Sequence, residues 1–504
     1  MFTINFENLK KTGLSDGIYE EIKNKILTSS LKANEKLPSK RALSSHLGVS
    51  TITVQNAYER LICEGYVFSI EKKGYFVTDI EKELTLSKRA KFFYNKKDRS
   101  FEKDGTLEKD AGFEKDGTSE KKNEGQITLA NKDSSVIDFY KNFCLAQKFP
   151  FRLWSSTIRK VLKTEAPLLL ERPGAKGIES LRKEIKSYLE DFKNINVSTD
   201  QIIIAGGTEG IFQILTSLLG REKLFAVENP GYKKITSLLE MNGVKSIPLD
   251  IDQEGLRIDL LEKSKAQIVH LTPTHHFPTG KVMSVKRRMN ILNWARKSKK
   301  NFIIEDDYDS EFRFNSKPIT SLYSMDKSLS PKESKVIYIN TFSKTLSPSL
   351  RISYMILPEE LLKIFEKKFT SYSCQVSVFE QMALANFIGQ GFYSKHIIKM
   401  KNYYKTIRNE IISCINKSPL SKITSIHEEE AGLHFLLEVK KENLEKSKIL
   451  LKLKKEKIKI PLLSEYYYKK EKVEKNTLTF ILNYSALEKE NIKESIRRLE
   501  KALL

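Results

Sequence analysis

The sequence is poor in cysteine and contains no long apolar run. Its four cysteines, Cys63, Cys144, Cys374 and Cys414, lie far apart and show no C-x-x-C spacing, which argues against a disulfide framework and against a cysteine metal site. No apolar stretch approaches membrane-spanning length, and the first residues lack the apolar stretch and cleavage site of a secretion signal. We therefore expect a cytoplasmic protein with reduced thiols and no membrane partner.

Basic charge is plentiful but is not concentrated in one region. The 504 residues carry a formal net charge of +23, which is compatible with a nucleic-acid partner. Residues 1–80, however, hold 11 lysines and arginines against 9 acidic residues, and much of the lysine excess lies elsewhere, as in 440–459. Bulk charge is therefore a weak guide to function, and the position of motifs must decide it.

A change in composition divides the chain, which is longer than a single core usually organises. Residues 81–133 are poor in hydrophobic side chains and contain the repeats FEKDGT, LEKDAG and FEKDGT, which begin at Phe101, Leu107 and Phe113. Mixed charge with frequent glycine cannot bury enough apolar surface to offset chain entropy. We predict a flexible charged linker over 81–133, between one domain at 1–80 and another at 134–504.

The segment from Leu37 to Leu61 has the pattern of two short helices joined by a tight turn. Ser39 and Ser50 can each cap a helix, and Gly48 permits the turn between them. The second helix has an inward apolar stripe, formed by Val54, Ala57, Tyr58 and Leu61. A helix over 18–27, capped by Ser15 or Asp16, precedes this segment, and strand-like runs at 66–70 and 75–78 follow it. An ordinary helical hairpin would explain any one feature, but their order predicts a winged helix-turn-helix.

The outward side chains of the second helix can meet DNA. Hydroxyls and carboxamides suited to phosphates and base edges are carried by Thr51, Thr53, Gln55 and Asn56. Between the two strand-like runs, Lys72 and Lys73 suit a wing that touches backbone phosphate. We therefore predict double-stranded DNA as a partner of this unit.

In order, these features resemble the GntR-type winged helix-turn-helix over residues 14–78. The match includes LPSKRxLSxxLGVSxxTVxxAYxxLxxEGY and the later KGYFV. The resemblance implies that the DNA surface includes Ser39, Lys40, Arg41, Thr53 and Gly74. Thr51 stands where the family usually has arginine, so the operator sequence of relatives cannot be carried over.

From Val136 onward, strand-like runs alternate with helical patterns, which predicts a parallel α/β sheet with its site at the strand ends. The runs lie at 201–205, 224–227, 267–271, 302–304 and 336–339. Five segments with chemical potential follow them: GGTE from Gly206, ENPGY from Glu228, PTHHFPTG from Pro273, EDDYDSE from Glu305 and TFSKTLSPSLR from Thr341.

Together these segments suit a phosphorylated pyridine aldehyde. Glycines at a helix start admit a phosphate, and Tyr232 can stack on a ring. Lys344 can form an imine, and Arg351 can grip phosphate. A carboxylate among residues 305–307 can hold a proton on the ring nitrogen, and their spacing does not choose which. Read alone, each segment also fits a glycine turn, a core tyrosine, an acidic turn or a solvated lysine. The histidine pair at 275–276 lacks a third metal ligand at suitable spacing.

In order, the segments resemble the fold-type I aminotransferase family, and their pairing with the N-terminal unit resembles the MocR subfamily of pyridoxal-phosphate (PLP) dependent regulators. The resemblance implies PLP as cofactor, with Lys344 as the imine lysine, Asp306 as partner of the ring nitrogen, Tyr308 as donor to the 3-oxygen and Tyr232 as the stacking ring. The phosphate would be held by Gly207, Thr208, Ser343 and Arg351. A head-to-tail homodimer is also implied.

Departures from the aminotransferase pattern cluster on the substrate side. Where relatives carry a carboxylate-binding arginine, residues 478–485 contain none, and the next is Arg497. Arg172 stands near a position where relatives often have tyrosine, and His276 replaces a usual glutamine. We expect a transcriptional regulator that senses PLP or an amine or amino-acid effector through Lys344. An active aminotransferase with a DNA-binding appendage is the alternative, and a dimerisation scaffold is a third possibility.

Overall fold

The computed structural model describes residues 14–27, 30–32, 34–63, 66–70, 74–77, 136–141, 148–164, 166–314, 320–330, 333–428, 430–440, 445–468 and 477–504. The predicted linker at 81–133 and the wing residue Lys73 lie outside these ranges. Among the described residues, no helix combines the length and apolar character needed to cross a membrane.

The N-terminal domain is a three-helix unit with a β-hairpin. Its helices are α1 (Leu14–Leu27), α2 (Lys40–Leu47) and α3 (Thr51–Cys63), and strands β1 (Val67–Ile70) and β2 (Gly74–Val77) pair antiparallel. The predicted inward stripe of α3 is fully buried against α1 and the hairpin. This is the helix-turn-helix with a wing that the motif order predicted.

Capping explains where the two central helices begin and end. Ser39 accepts a hydrogen bond from the Ala42 backbone nitrogen at 3.1 Å, and Ser50 accepts one from the Thr53 nitrogen at 3.1 Å. Gly48 ends α2 in the left-handed conformation, with φ 62°. The predicted cap of α1 is wrong: because the helix already includes Leu14, Ser15 and Asp16 lie within its first turn.

The C-terminal domain is built on an eight-stranded sheet in the order β4-β11-β10-β9-β8-β5-β6-β7. These strands are β4 (Ile202–Gly206), β5 (Phe225–Asn229), β6 (Ser246–Asp252), β7 (Gly255–Leu256), β8 (Ile268–Leu271), β9 (Phe302–Asp306), β10 (Val336–Thr341) and β11 (Ile352–Ile356). The predicted all-parallel sheet needs a correction, because β11 runs antiparallel to both of its neighbours and β7 is antiparallel to β6. Strands β4, β5, β8, β9 and β10 therefore still end at one common edge.

Helices cover both faces of this sheet. The first face packs under α4 (Phe151–Thr164), α6 (Glu179–Lys193), α10 (Val285–Arg296), α11 (Leu322–Leu329) and α13 (Val378–Gly389), and the second under α7 (Gly207–Leu219), α8 (Lys233–Met241) and α12 (Glu359–Lys368). Two short helices, α5 (Ala166–Leu169) and α9 (Ile258–Lys263), lie at the margins. Successive residues of a strand point to opposite faces, so Ile303 of β9 joins the first core and Ile304 the second.

A smaller subdomain carries a three-stranded antiparallel sheet in the order β12-β13-β15. Its elements are α14 (Phe392–Lys417), β12 (Thr424–His427), β13 (His434–Lys440), α15 (Lys446–Lys455), β14 (Ile458–Lys459), β15 (Thr477–Asn483) and α16 (Ile492–Leu503), and β14 pairs with β3 (Ile137–Asp138). One face of the sheet packs on these helices through residues such as Phe435, Leu437 and Phe480. The other face bears Leu436 and Glu438, the residues that alternate with them.

Candidate functional site

The common edge of the large sheet brings together all eight residues that the sequence proposed for a cofactor. Gly207 and Thr208 follow β4, Tyr232 follows β5, Asp306 ends β9 and Tyr308 lies just beyond it. Ser343 and Lys344 occupy the turn after β10, and Arg351 directly precedes the antiparallel β11. Residues as far apart in sequence as Gly207 and Arg351 thus converge, because the parallel strands end together and β11 returns to start at the same edge.

Gly207 forms a cradle that only glycine fits. Its backbone has φ +72°, and a Cβ atom built on it would lie 2.7 Å from Cζ of Arg351. The Arg351 guanidinium pairs with Glu209, whose carboxylate also accepts from Lys234 at 2.6 Å. Partial burial would raise the pKa of Glu209, but Lys234 and Arg351 keep it below its ordinary value. Two cations thus meet at the amino end of α7, where backbone N–H groups also favour an anion.

The three adjacent carboxylates at the end of β9 have three different environments. Glu305 accepts hydrogen bonds from the backbone nitrogens of Leu322 and Tyr323, both at 2.8 Å, and burial raises its pKa to about 7. Asp307 is also buried, and Lys193 pairs with it at 2.8 Å. Burial would raise the pKa of Asp307, yet the lysine charge lowers it. Both carboxylates point to the first face of the sheet.

Asp306 points to the second face, which also carries α7. Its carboxylate lies 3.4 Å from Nε2 of His270. The Asp306 side chain is 15% exposed, whereas Glu305 is completely buried. Gly207 begins the same α7. Alternation along β9 therefore sets Asp306 on the face of Gly207, opposite Glu305 and Asp307.

Tyr308 belongs to a buried polar cluster. Asp309 accepts a hydrogen bond from Nδ1 of His275 at 2.9 Å, and the phenolic oxygen of Tyr308 lies 3.1 Å from the same nitrogen. Burial and the neighbouring charge of Asp309 raise the pKa of Tyr308 well above its ordinary value. The phenol therefore stays protonated and can donate a hydrogen bond.

His434 of β13 completes this cluster from the small subdomain. Its ring centroid lies 4.8 Å from that of His275, and its Nε2 lies 3.1 Å from the carbonyl oxygen of Pro278. Burial, then the charges of His275 and Lys344, lower the pKa of His434 far below its ordinary value, so the ring is neutral. Sequence reasoning did not single out His434, although it lies in the AGLHFLLEV segment that matched the family.

The turn that carries Lys344 is fixed on both sides. The Ser343 backbone nitrogen donates to Oγ1 of Thr341 at 3.1 Å, and Ser353 donates to the same oxygen at 2.9 Å. On the other side, Tyr393 donates to Thr345 at 3.0 Å. Lys344 itself is half-buried. These bonds hold the lysine at the sheet edge, while its side chain lies among neighbours that include His434.

Of the predicted DNA-contacting residues, all but Lys72 and Lys73 lie within the described part of the N-terminal domain. Arg41 and Thr51 are exposed, and Thr53 and Gln55 are half-buried on α3. Lys40 donates to the Gln55 side chain at 3.3 Å, which joins α2 to α3. Gly74 opens β2 with φ +111°. Their contacts with DNA stay predictions.

Comparisons with known proteins follow this division. The family model of bacterial regulatory proteins of the gntR family matches residues 14–77. Over 487 residues the chain is 32% identical to the HTH-type transcriptional regulator YdeL of Bacillus subtilis (strain 168), covering 96% of each protein. It is 26% identical over 423 residues to the probable rhizopine catabolism regulatory protein MocR of Rhizobium meliloti, covering 83% of this chain and 80% of that protein.

The chain belongs to the MocR-type transcriptional regulators of the GntR family. Its C-terminal domain superposes on the multiple substrate aminotransferase of Thermococcus profundus with a TM-score of 0.63 and 23% identity, over 74% of this chain and 92% of that one. That likeness establishes a fold-type I aminotransferase domain. The predicted family and fold class are confirmed.

In this MocR-type regulator the structure describes the residues at which the sequence departs from the aminotransferase pattern. Within 478–485, Ile481 is fully buried and pairs with Leu436 of β13. Arg497 lies on α16, where it is exposed and bound to Glu494 at 2.6 Å. Arg172 is exposed and donates to the Ser373 hydroxyl. The segment 478–485 thus holds no arginine, and Arg497 and Arg172 each bind a neighbouring side chain.

Proposed function

We propose that this regulator binds PLP covalently at Lys344 and responds to PLP or to an amine or amino-acid effector. The observation that carries the proposal is the convergence of Lys344, Asp306, Tyr308 and Arg351 at one sheet edge. When bound, PLP supplies an aldehyde that reacts reversibly with primary amines. If Lys344 were only a solvated lysine, or residues 305–309 only an acidic turn, neither would need to lie close to the other three residues.

The residues present fit the group. Gly207 leaves the space beside Arg351 that a side chain would fill, and Thr208 and Ser343 add hydroxyls near the cradle. Asp306 faces the same side of the sheet and can hold a proton on the ring nitrogen. Among the described residues, the buried nitrogens Nε2 of His275 and Nδ1 of His434 have no hydrogen-bond partner. Buried polar atoms of that kind are costly to leave unpaired, and these two are available to a polar ligand.

An absorbance scan tests cofactor binding. Wild-type protein with added PLP should show a band at roughly 420 nm, as expected for an imine of this cofactor. Lys344→Ala should lose the band, whereas Lys297→Ala, at an exposed lysine paired with Glu262, should keep it. No band in the wild type would refute the cofactor assignment.

Titration of the same sample with amines separates the two kinds of effector. A shift of the band with a primary amine supports effector exchange at Lys344, and no shift with any amine leaves PLP itself as the effector. Sustained turnover between an amino acid and a 2-oxo acid, at about 1 per second or faster, would favour the aminotransferase alternative. The loss of the carboxylate arginine is the reason we expect no such turnover.

We further propose that α2, α3 and the wing read double-stranded DNA. Arg41 is exposed at the start of α2, where a guanidinium can reach phosphate. Arg41→Ala should weaken binding by about 1 to 3 kcal/mol, measured by anisotropy on a duplex that the protein selects from a random pool. Arg221→Ala, an exposed arginine of the C-terminal domain, is the matched control. Equal affinity of both variants would contradict the placement of the DNA surface.

A second copy of the chain is the proposed partner of an exposed apolar patch. The patch comprises large side chains of α4, α5 and their surroundings: Phe151, Leu153, Ile158, Leu162, Leu168, Leu170 and Phe379. Leu170 is 85% exposed, and such clustered exposure usually marks an interface. A homodimer would bury this patch and match the two half-sites of a symmetric operator.

A further inference from the structure

A cleft separates the large sheet from the face of the small sheet that bears Leu436 and Glu438. It has a volume of about 400 Å³, and its walls include Asn229, Asp250, Thr279 and Lys281 of the large subdomain and Glu438 and Thr479 of the small one. This volume lies within the range of small-molecule sites, roughly 300 to 1,000 Å³. None of the eight candidate cofactor residues lines it, so the cleft is a separate cavity.

The small sheet presents an acid to this cleft. Glu438 pairs with Thr479, and Ile481 pairs with Leu436 two residues along. Alternation places these four on one face, opposite Leu437 and Phe480 of the core. This face of the small sheet thus carries a carboxylate. Hydrogen bonds from Lys440 and His427 outweigh partial burial and keep the pKa of Glu438 below its ordinary value, so it is ionised.

Lys281 lies on the opposite wall. It is half-buried, and its Nζ donates to the backbone carbonyl of Asp252 at 3.2 Å. In the part of the chain that the structure describes, no carboxylate forms an ion pair with it. Burial lowers the pKa of Lys281, and the charges of Glu428 and Asp252 offset this only in part, so an anionic group in direct contact would stabilise the ammonium. Lys281 and Glu438 line the same cavity without bonding each other, which leaves room for a molecule that carries both charges.

A chain of closely spaced polar side chains leads from this cleft into the loop of residues 273–280. Oγ1 of Thr279 lies 2.7 Å from Nδ1 of His276, and Nε2 of His276 lies 3.6 Å from Glu228. Glu228 in turn accepts from the nitrogen and the hydroxyl of Thr272, at 2.9 and 2.8 Å. His276 directly follows His275, which contacts Tyr308. A ligand that contacts Thr279 would therefore contact the same loop as His275, the neighbour of Tyr308.

We propose that the cleft is a second ligand site, which binds a free α-amino acid with its carboxylate toward Lys281 and Thr279 and its ammonium toward Glu438 and Asp250. The ligand touches both subdomains, so it stabilises the arrangement in which the two walls face each other. Binding here needs no imine and does not depend on the proposed chemistry of Lys344.

Calorimetry on the full-length Lys344→Ala variant tests this site without interference from imine formation. Each standard amino acid is titrated separately. At least one should bind with a stoichiometry of one per chain, and its affinity should fall at least about tenfold when Lys281→Met or Glu438→Gln is added. Lys297→Met, at an exposed lysine, should leave the affinity unchanged. Thermal unfolding verifies that each variant is folded.

Three outcomes would overturn the site. They are no binding of any amino acid, binding that both cleft variants retain, and acetate binding as tightly as the best amino acid, which would remove any role of Glu438. Failure of the proposed function is distinguishable, because Lys281→Met and Glu438→Gln with Lys344 intact should keep the band at roughly 420 nm. A missing band in the wild type concerns Lys344 alone.

Discussion

Gly207 combines a left-handed backbone with a close approach to Arg351, the proposed phosphate-binding arginine. A positive φ is common among the glycines of this chain. Gly207 differs because a side chain at this position would also collide with Arg351. Gly243 has nearly the same φ, +73°, with no atom within 4 Å of a built Cβ. Substitution of Gly243 would therefore test backbone strain alone. Substitution of Gly207 would test the same strain together with loss of the space beside Arg351.

Gly207→Ala should lose PLP affinity by at least about tenfold, because its methyl group displaces the Arg351 guanidinium. Both Gly207→Ala and Gly243→Ala should lose about 1 to 2 kcal/mol of stability, since both force an L-residue into the left-handed region. Absorbance titration with PLP and urea unfolding measure the two effects. Equal PLP affinity in both variants would contradict the cradle.

Residue spacing could not choose among the acids at 305–307, whereas their contacts distinguish them. Glu305 binds two backbone nitrogens and Asp307 binds Lys193, and none of these partners is adjacent in sequence. His434 and Asp309 were missed for the same reason. Nothing in the local sequence marks His434 or Asp309, because only the folded chain brings them close to Tyr308 and His275.

At the scale of elements, helix α11 depends on a carboxylate from another strand. Glu305 of β9 accepts hydrogen bonds from two backbone nitrogens in its first turn, in addition to the local cap by Ser321. The carboxylate is fully buried, and the charge of Arg288 only partly offsets the burial that raises its pKa to about 7. The helix start is thus coupled to a titratable group.

The free energy of unfolding should reveal this coupling. Because the folded-state pKa of Glu305 lies above its ordinary value of 4.5, its contribution is fully present below pH 4.5 and is lost as pH rises through about 7. Relative to Glu305→Gln, the wild type should lose on the order of 2 to 3 kcal/mol between these limits. Urea unfolding across this range measures the difference.

Glu262→Gln is the control, since Glu262 lies on the surface and pairs with exposed Lys297. Its curve should run parallel to that of the wild type. If Glu305→Gln also ran parallel, the carboxylate would not titrate as described.

The direction of strand β11 is a feature of the sheet that the sequence predicted wrongly. The alternating βα pattern predicted a parallel sheet, but Ile352–Ile356 follows β10 after the short turn that carries Lys344 and Arg351. A connection without a crossover helix returns antiparallel. The reversal matters for the site, because it sets the start of β11, and hence Arg351, at the edge where the parallel strands end.

At the scale of the whole molecule, the exposed apolar patch predicts the assembly. Leu162→Glu combined with Leu170→Glu should convert dimers to monomers, because charges buried at an interface lose hydration. Leu450→Glu combined with Leu451→Glu alters similarly exposed leucines on α15 and should leave the dimer intact. Sedimentation velocity measures both. A wild-type protein that sediments as a monomer would refute the patch as a self-interface.

Sequence alone determined the two-domain plan, the winged helix and the set of candidate cofactor residues, because caps, apolar periodicity and motif order are local or follow chain order. Only the tertiary structure decided on which face of the sheet each acid at 305–307 lies, which histidines join Tyr308 and that Lys281 and Glu438 line one cleft. These depend on side chains far apart in sequence that meet where strands end and where two sheets oppose each other. The physical reason is that burial and charge pairing are properties of neighbours in space.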